Sequence, residues 1–245
     1  MLSLDDPGRV AELRWLIGRK SSLRRFYRRA YRGYAASLAR CPGEGGALEL
    51  GSGAGFAKEV VAGLVTSEIQ PCPGVDRVVD ARSLPFPDQS LRFICMTDVL
   101  HHIPDVEAFF HEAERCLAPG GRVFIVDQHP GWISTPILRW VHHEPFDPCA
   151  TTWRFESGGP LSGANGALPW LVFVRDRERF EALFPRLKVV RYEPHTPLGY
   201  WLSGGLKRWN LLPCGGGAVE ALDRCLTRLA PALGSFVDIE LLRVD

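Results

Sequence analysis

The clearest period in the chain lies at residues 106–117, where Val106, Phe109, Phe110, Ala113 and Leu117 recur three and four positions apart. That spacing predicts an amphipathic helix with one side in a core. Pro119, Gly120 and Gly121 end it, and residues 122–127 then carry the unbroken apolar run Val-Phe-Ile-Val. A run without polar alternation suits a strand covered on both faces. Further apolar runs predict strands at 46–50, 65–69, 75–80, 91–96, 187–192 and 236–244, and helices at 57–64, 176–184 and 219–229. Strands alternating with helices predict an α/β fold with a doubly wound, mostly parallel sheet.

Two stretches lack any period. Residues 131–170 and 194–217 are rich in Trp, Pro and Gly, and read as a lid interleaved with the core. The first 40 residues are a third kind of segment, with nine basic residues from Arg9 to Arg32 set against Asp5, Asp6 and Glu12. Trp15, Leu16, Leu23, Phe26, Tyr27 and Tyr31 interleave at helical spacing, which predicts a basic helical cap. Its aromatic stripe packs on a core, or its arginines meet an anionic partner such as a membrane surface. A turn cluster at 41–46 separates this cap from the rest, so the expectation is one domain. In it 1–40 is the cap, 41–130 the ligand-binding core, 131–217 the lid and acceptor segments, and 218–245 the last helix and strand.

Composition narrows the function classes. The formal net charge is +1 and about a quarter of the 245 residues are charged, so no overall bias draws the chain to nucleic acid. No Asn-Pro-Pro-aromatic signature follows the fourth strand either, and no nucleic-acid partner is expected. Seven cysteines without a Cys-x-x-Cys pair suit a reducing compartment. No apolar run is long enough for a spanning helix and no signal-peptide core is present, so the expected location is cytoplasmic. Asp127, His129, His142, His143 and Glu144 follow no ligand spacing, and neighbouring histidines seldom share a metal, so no metal is expected.

The chemistry concentrates at Leu48-Glu49-Leu50-Gly51-Ser52-Gly53-Ala54-Gly55-Phe56. A buried strand breaking into alternate glycines and then a helix leaves bare backbone N–H groups for a nucleotide-like ligand. A dinucleotide loop would read G-x-G-x-x-G, but Phe56 stands where the third glycine belongs. Glu49 would repel a pyrophosphate and suits a ligand with an ammonium or sulfonium group. Both features favour S-adenosylmethionine over NAD.

The chain from about 46 to 128 resembles the class I S-adenosylmethionine-dependent methyltransferases of the type 11 group. The glycine loop resembles the first motif of that family, and Asp80-Ala81-Arg82-Ser83-Leu84-Pro85-Phe86 the segment beside the adenine. Thr97-Asp98-Val99-Leu100-His101-His102 resembles the stretch after the fourth strand, and Leu117-Ala118-Pro119-Gly120-Gly121 the turn before the fifth. The resemblance implies a Rossmann-like sheet of seven strands with the last one antiparallel, and S-adenosyl-L-methionine as cofactor. It implies Glu49 for the methionine amino group, with Gly51, Ser52, Gly53, Gly55 and Phe56 forming the loop. Glu68 would take both ribose hydroxyls, Asp80 the adenine amino group, and Ala81 and Leu84 the ring faces, while Thr97 and Asp98 line the methionine end. The chain departs from the family between its second and third strands, where Gln70–Gly74 leaves a proline turn in place of a helix.

His101 and His102 lie just past the fourth strand, where ligands bind in such sheets, and either would serve as a base for an acceptor hydroxyl. His129 and His195 are weaker candidates for the same task. The acceptor is expected to be a small molecule such as a glycan, a lipid-linked intermediate or a secondary metabolite, held by the aromatic lid. The glycine-rich loop at 157–166 is expected near the cofactor mouth. Two other readings stay open, a non-catalytic binding module and an NAD-dependent oxidoreductase.

Overall fold

The computed structural model describes residue 6, residues 8–159 and residues 163–245; Asp5 and residues 160–162 of the glycine-rich loop lie outside them. Two helices, α1 (Arg9–Arg19) and α2 (Ser21–Leu38), precede strands β1 (Gly46–Leu50), β2 (Leu64–Glu68), β3 (Arg77–Val78) and β4 (Leu91–Thr97). Helix α3 (Val106–Cys116) leads into β5 (Leu117–Gln128), and the lid holds α4 (Ser134–Trp140) and α5 (Leu168–Trp170). The chain ends with α6 (Arg177–Leu183), β6 (Leu187–His195), α7 (Gly199–Leu202), α8 (Gly216–Leu229) and β7 (Phe236–Arg243).

These strands form one sheet in the order β3-β2-β1-β4-β5-β7-β6. Strands β1 to β5 pair in parallel, and β7 runs antiparallel between β5 and β6. The continuous run predicted for the fifth strand sits at the centre, with Val123, Phe124, Ile125 and Val126 fully buried. Helix α3 begins where its period does, because the Asp105 carboxylate accepts from the Ala108 N–H at 3.1 Å.

Two predicted elements came out shorter. The helix expected at 57–64 is a single 3-10 turn, Ala57–Glu59, and the chain re-enters the sheet at Leu64 after Gly63, at φ 73°. The strand expected at 75–80 pairs only over Arg77–Val78 at the sheet edge, since the proline turn before it leaves no crossover helix.

Helix α2 takes the place of the missing layer. Its stripe of Phe26, Tyr27, Ala30, Tyr31 and Tyr34 is buried, in one cluster with Phe93, Cys95, Phe124 and Val126 of the sheet and Val61 beyond the glycine loop. Full burial of side chains of this kind stabilises by about 1.5–3 kcal/mol each, so the segment is a structural layer rather than a detachable cap. One arginine of the helix and one just after it are engaged internally. Arg29 grips Asp238 of β7 with two bonds of 2.9 and 3.0 Å, and Arg40 grips Glu240 with two of 2.7 Å.

Candidate active site

The strand order reverses between β1 and β4, and the loops leaving their C-terminal ends meet at that switch, where open α/β sheets bind ligands. After β1 the glycine loop turns with Gly51 at φ 63° and Gly53 at φ 45°, a region that side chains seldom enter. A Cβ on Gly51 would run into Val99. The loop is tied down from below: Ser52 N–H donates to Ser67 O at 2.8 Å, and the Ser67 hydroxyl donates to Glu49 O at 2.7 Å.

Acidic groups converge on this loop. Glu49 is buried, with Oε2 lacking a hydrogen-bond partner, and burial pushes its carboxyl up to about 7. Glu68 ends β2 beside Gly53, whose Cβ position is 3.3 Å from Glu68 Oε1. Asp98 follows β4 in a left-handed turn at φ 56°, with Oδ1 buried and unpartnered; burial and the nearby Asp127 push its carboxyl up to about 8. Two unpartnered buried carboxylate oxygens beside bare backbone form an incomplete polar shell, and a bound cation-bearing ligand would complete it. The donor set therefore fits S-adenosylmethionine.

A cavity of about 1230 Å³ opens over these residues, lined among others by Gly51, Gly53, Glu68, Asp80, Ala81 and Asp98. Single-ligand pockets hold about 300–1,000 Å³, so this one has room for a cofactor and a second molecule. Some expected site residues lie off its wall. Leu84 is packed into the core, Thr97 binds the Tyr34 hydroxyl at 2.5 Å, and Phe56 packs edge-on against Tyr31. Glu49, Ser52 and Gly55 are not among its lining residues either, and a Cβ on Gly55 would meet the Tyr31 hydroxyl. Asp80 lines the cavity but spends its carboxylate on Arg82, at 2.7 to 3.2 Å.

Beside Asp98 the cavity holds a histidine–carboxylate cluster. His101 is buried, with Nδ1 2.6 Å from Asp127 Oδ1 and Nε2 3.3 Å from Glu144 Oε2. Burial works against charge on this ring, but Asp127 and Glu144 outweigh it and raise its pKa well above the ordinary imidazole value. His102 Nδ1 donates to Gly163 O at 2.9 Å, leaving Nε2 3.6 Å from Glu144 Oε1; burial and the neighbouring His101 hold it down to about 4. His142 and His143 flank the same carboxylate at 3.5 and 3.7 Å. His129 and His195, the weaker candidates, sit elsewhere: His129 contacts the Tyr192 hydroxyl at 2.9 Å and His195 stacks on Phe236.

Asp127 and Glu144 are the partners that residue spacing did not single out for His101. Asp127 was legible as the end of a central strand, whereas Glu144 arrives from the lid, 43 positions after His101 in the chain, and leaves no local pattern. The lid also brings Ser157, Gly158 and Gly159 to the cavity wall. Residues Gly204 to Trp209 form the opposite wall, and the buried Lys20 ties them to the helical layer. Its ammonium donates to Gly205 O at 2.9 Å, to Trp209 O at 2.8 Å and to Lys207 O.

Residues 48–125 match the family described as a methyltransferase domain, and this span runs from within β1 into β5. That span is a class I S-adenosylmethionine-dependent methyltransferase domain. The chain is 43% identical over 56 residues to 27-O-demethylrifamycin SV methyltransferase of Amycolatopsis mediterranei (strain S699), covering 21% of each chain. It is 28% identical over 109 residues to demethylmenaquinone methyltransferase of Tropheryma whipplei (strain Twist), covering 38% of this chain and 46% of that one. The chain thus spans less than half the length of either relative. Its fold is that of geranyl diphosphate C-methyltransferase from Streptomyces coelicolor A3(2), with a TM-score of 0.50, 18% identity, and 87% of this chain and 79% of that one covered. Among the described residues, no helix is long and apolar enough to cross a membrane.

Proposed function

We propose that the chain transfers a methyl group to a hydroxyl of a small-molecule acceptor with a large apolar part, such as a lipid-linked glycan or a secondary metabolite. One observation carries this reading: the glycine loop with Glu68 and the His101–His102 cluster line a single cavity large enough for two molecules.

When bound, S-adenosylmethionine supplies a methyl on a sulfonium, and transfer to an acceptor oxygen breaks that carbon–sulfur bond, forms a carbon–oxygen bond and releases one proton. Glu68 accepts from the ribose hydroxyls, and Asp80 with Ala81 borders the adenine. Glu49 and Asp98 supply negative charge at the methionine end. Asp127 and Gly163 O hold the Nδ1 sides of His101 and His102 and so turn both Nε2 atoms towards Glu144, where the acceptor oxygen is placed. The lid excludes water and aligns the two reactants, which supplies much of the rate in a displacement of this kind.

The apolar character of the acceptor follows from the rim. Ile137, Val141, Trp201, Leu206 and Trp209 line the cavity on the lid side, and Trp140 and Val141 are largely exposed there. The relatives act on molecules named as demethylated rifamycin SV and demethylmenaquinone, both small molecules rather than polymers. The test is a panel of hydroxylated acceptors, including quinols, polyketide aglycones and lipid-linked sugars, beside oligonucleotides and a protein, each with S-adenosylmethionine. Mass spectrometry is expected to find a methylated product only in the first group. Transfer confined to nucleic acid or protein would overturn the proposal.

A further inference from the structure

The carboxylate of Glu144 is ringed by four imidazole nitrogens at 3.3 to 3.7 Å, from His101, His102, His142 and His143. Two of the rings are built differently from the others. His101 gives its Nδ1 to the Asp127 carboxylate, and His102 gives its Nδ1 to Gly163 O. Both hold Nε2 towards Glu144. Histidines that ligate a metal almost always engage their second nitrogen in this way, with a carboxylate or a backbone carbonyl, because it fixes the tautomer and the direction of the lone pair.

The spacing fits as well. Two ligand atoms at about 2.0–2.1 Å from a tetrahedral ion lie roughly 3.3–3.4 Å apart. Nε2 of His101 is 3.3 Å from Glu144 Oε2, and Nε2 of His102 is 3.6 Å from Glu144 Oε1. The ligand atoms of these three residues all lie within 4.8 Å of one another. A further polar group reaches the same point. The Gln128 side-chain Nε2 lies 3.3 Å from His101 Nε2 and donates to Glu144 Oε2 at 3.2 Å, while its Oε1 is buried without a partner.

We propose that His101, His102 and Glu144 hold a divalent transition-metal ion of the zinc class at the acceptor end of the cavity, where it binds the acceptor oxygen. Two imidazoles and one carboxylate suit such an ion better than Mg²⁺, which takes oxygen ligands. The three residues leave a position open for a substrate oxygen, as catalytic sites do and closed structural sites do not. Bound there, an acceptor hydroxyl loses its proton at a far lower pH than when free, and the oxygen becomes the nucleophile that methyl transfer needs. The inference rests on the methyltransferase reading for what the ion does, but not for whether it binds. His142 and His143 approach the same carboxylate and form a second close trio with it, but His143 is half exposed and, among the described residues, neither ring is held through its other nitrogen as His101 and His102 are.

The test uses the full chain, stripped with a chelator and titrated with Co²⁺, whose visible spectrum reports its ligands. The expected result is one equivalent bound, displaced by Zn²⁺, with the bands of nitrogen and oxygen ligands and no thiolate charge transfer. His102→Ala and Glu144→Gln are each expected to weaken Co²⁺ binding at least tenfold, while His143→Ala changes it less than threefold. The same samples are titrated with S-adenosylhomocysteine, which shows that each variant is folded. Absence of stoichiometric Co²⁺ binding, a thiolate spectrum, or unchanged affinity in the two ligand variants would overturn the metal centre. None of those results touches the cofactor half, whose failure would appear as lost S-adenosylhomocysteine binding in the unaltered chain.

Discussion

Replacing Glu68 with alanine is expected to weaken S-adenosylhomocysteine binding about a hundredfold, or about 2.7 kcal/mol, without unfolding the chain. Glu68 ends β2 next to the glycine loop, lines the cavity and accepts from the Ile69 N–H at 3.1 Å. A carboxylate so placed offers two further acceptor sites to adjacent hydroxyls, and hydrogen bonds to a charged group contribute about 1.5–3 kcal/mol each. Burial raises the pKa of Glu68, so the folded chain bears a cost for keeping this acid that the variant does not. The variant should therefore melt at or above the temperature of the parent. Calorimetric titration and a thermal melt together check the point; a change in affinity under threefold would remove Glu68 from the cofactor site.

The second large effect is expected from Asp127→Asn, with turnover falling by about 10²–10⁴ and S-adenosylhomocysteine affinity changing less than threefold. Asp127 is fully buried at the end of β5, where it accepts from His101 Nδ1 at 2.6 Å and from the Gln128 N–H at 2.7 Å. Asparagine keeps the shape but removes the charge, and its amide presents N–H groups to a ring nitrogen that needs an acceptor. His101 then loses the tautomer and the orientation that bring Nε2 to the acceptor. Single-turnover kinetics separate this from a binding defect. A variant that turns over at the parental rate would show that the buried Asp127–His101 pair is structural only.

Much of this arrangement was legible before the fold was known, and the parts that were not share a cause. Strand β1 occupies the residues predicted for it, and β7 and α3 end within one residue of expectation, because each carries its burial pattern within a single window. The helix expected after the glycine loop failed differently. Its residues favour a helix locally, but Tyr31 of α2 already fills the space against Phe56, so the chain turns back into the sheet within a few residues. Nothing in residues 57–64 announces a neighbour from 25 positions upstream. The acceptor end behaved the same way. His101 and His102 were visible as an unusual pair after β4, whereas Glu144 comes from a lid whose path no periodicity encodes. Asp80 shows the opposite limit, since its partner Arg82 was in plain view two positions away and still alters what its carboxylate is free to do.

The buried acid at the end of β1 is expected to select an adenosyl cofactor that carries an ammonium group over a dinucleotide. Calorimetric titration of the full chain with S-adenosylhomocysteine and with NAD, at pH 8 and pH 6, tests it directly. Burial raises the Glu49 carboxyl to about 7, so it is ionised at pH 8 and mostly protonated at pH 6. A ligand whose ammonium needs the ionised form must displace that proton at the lower pH, and its affinity falls by roughly tenfold between the two. The expected result is saturable binding of S-adenosylhomocysteine, stronger at pH 8, with no heat from NAD at either pH. Binding of NAD, or no binding of S-adenosylhomocysteine at pH 8, would contradict the account.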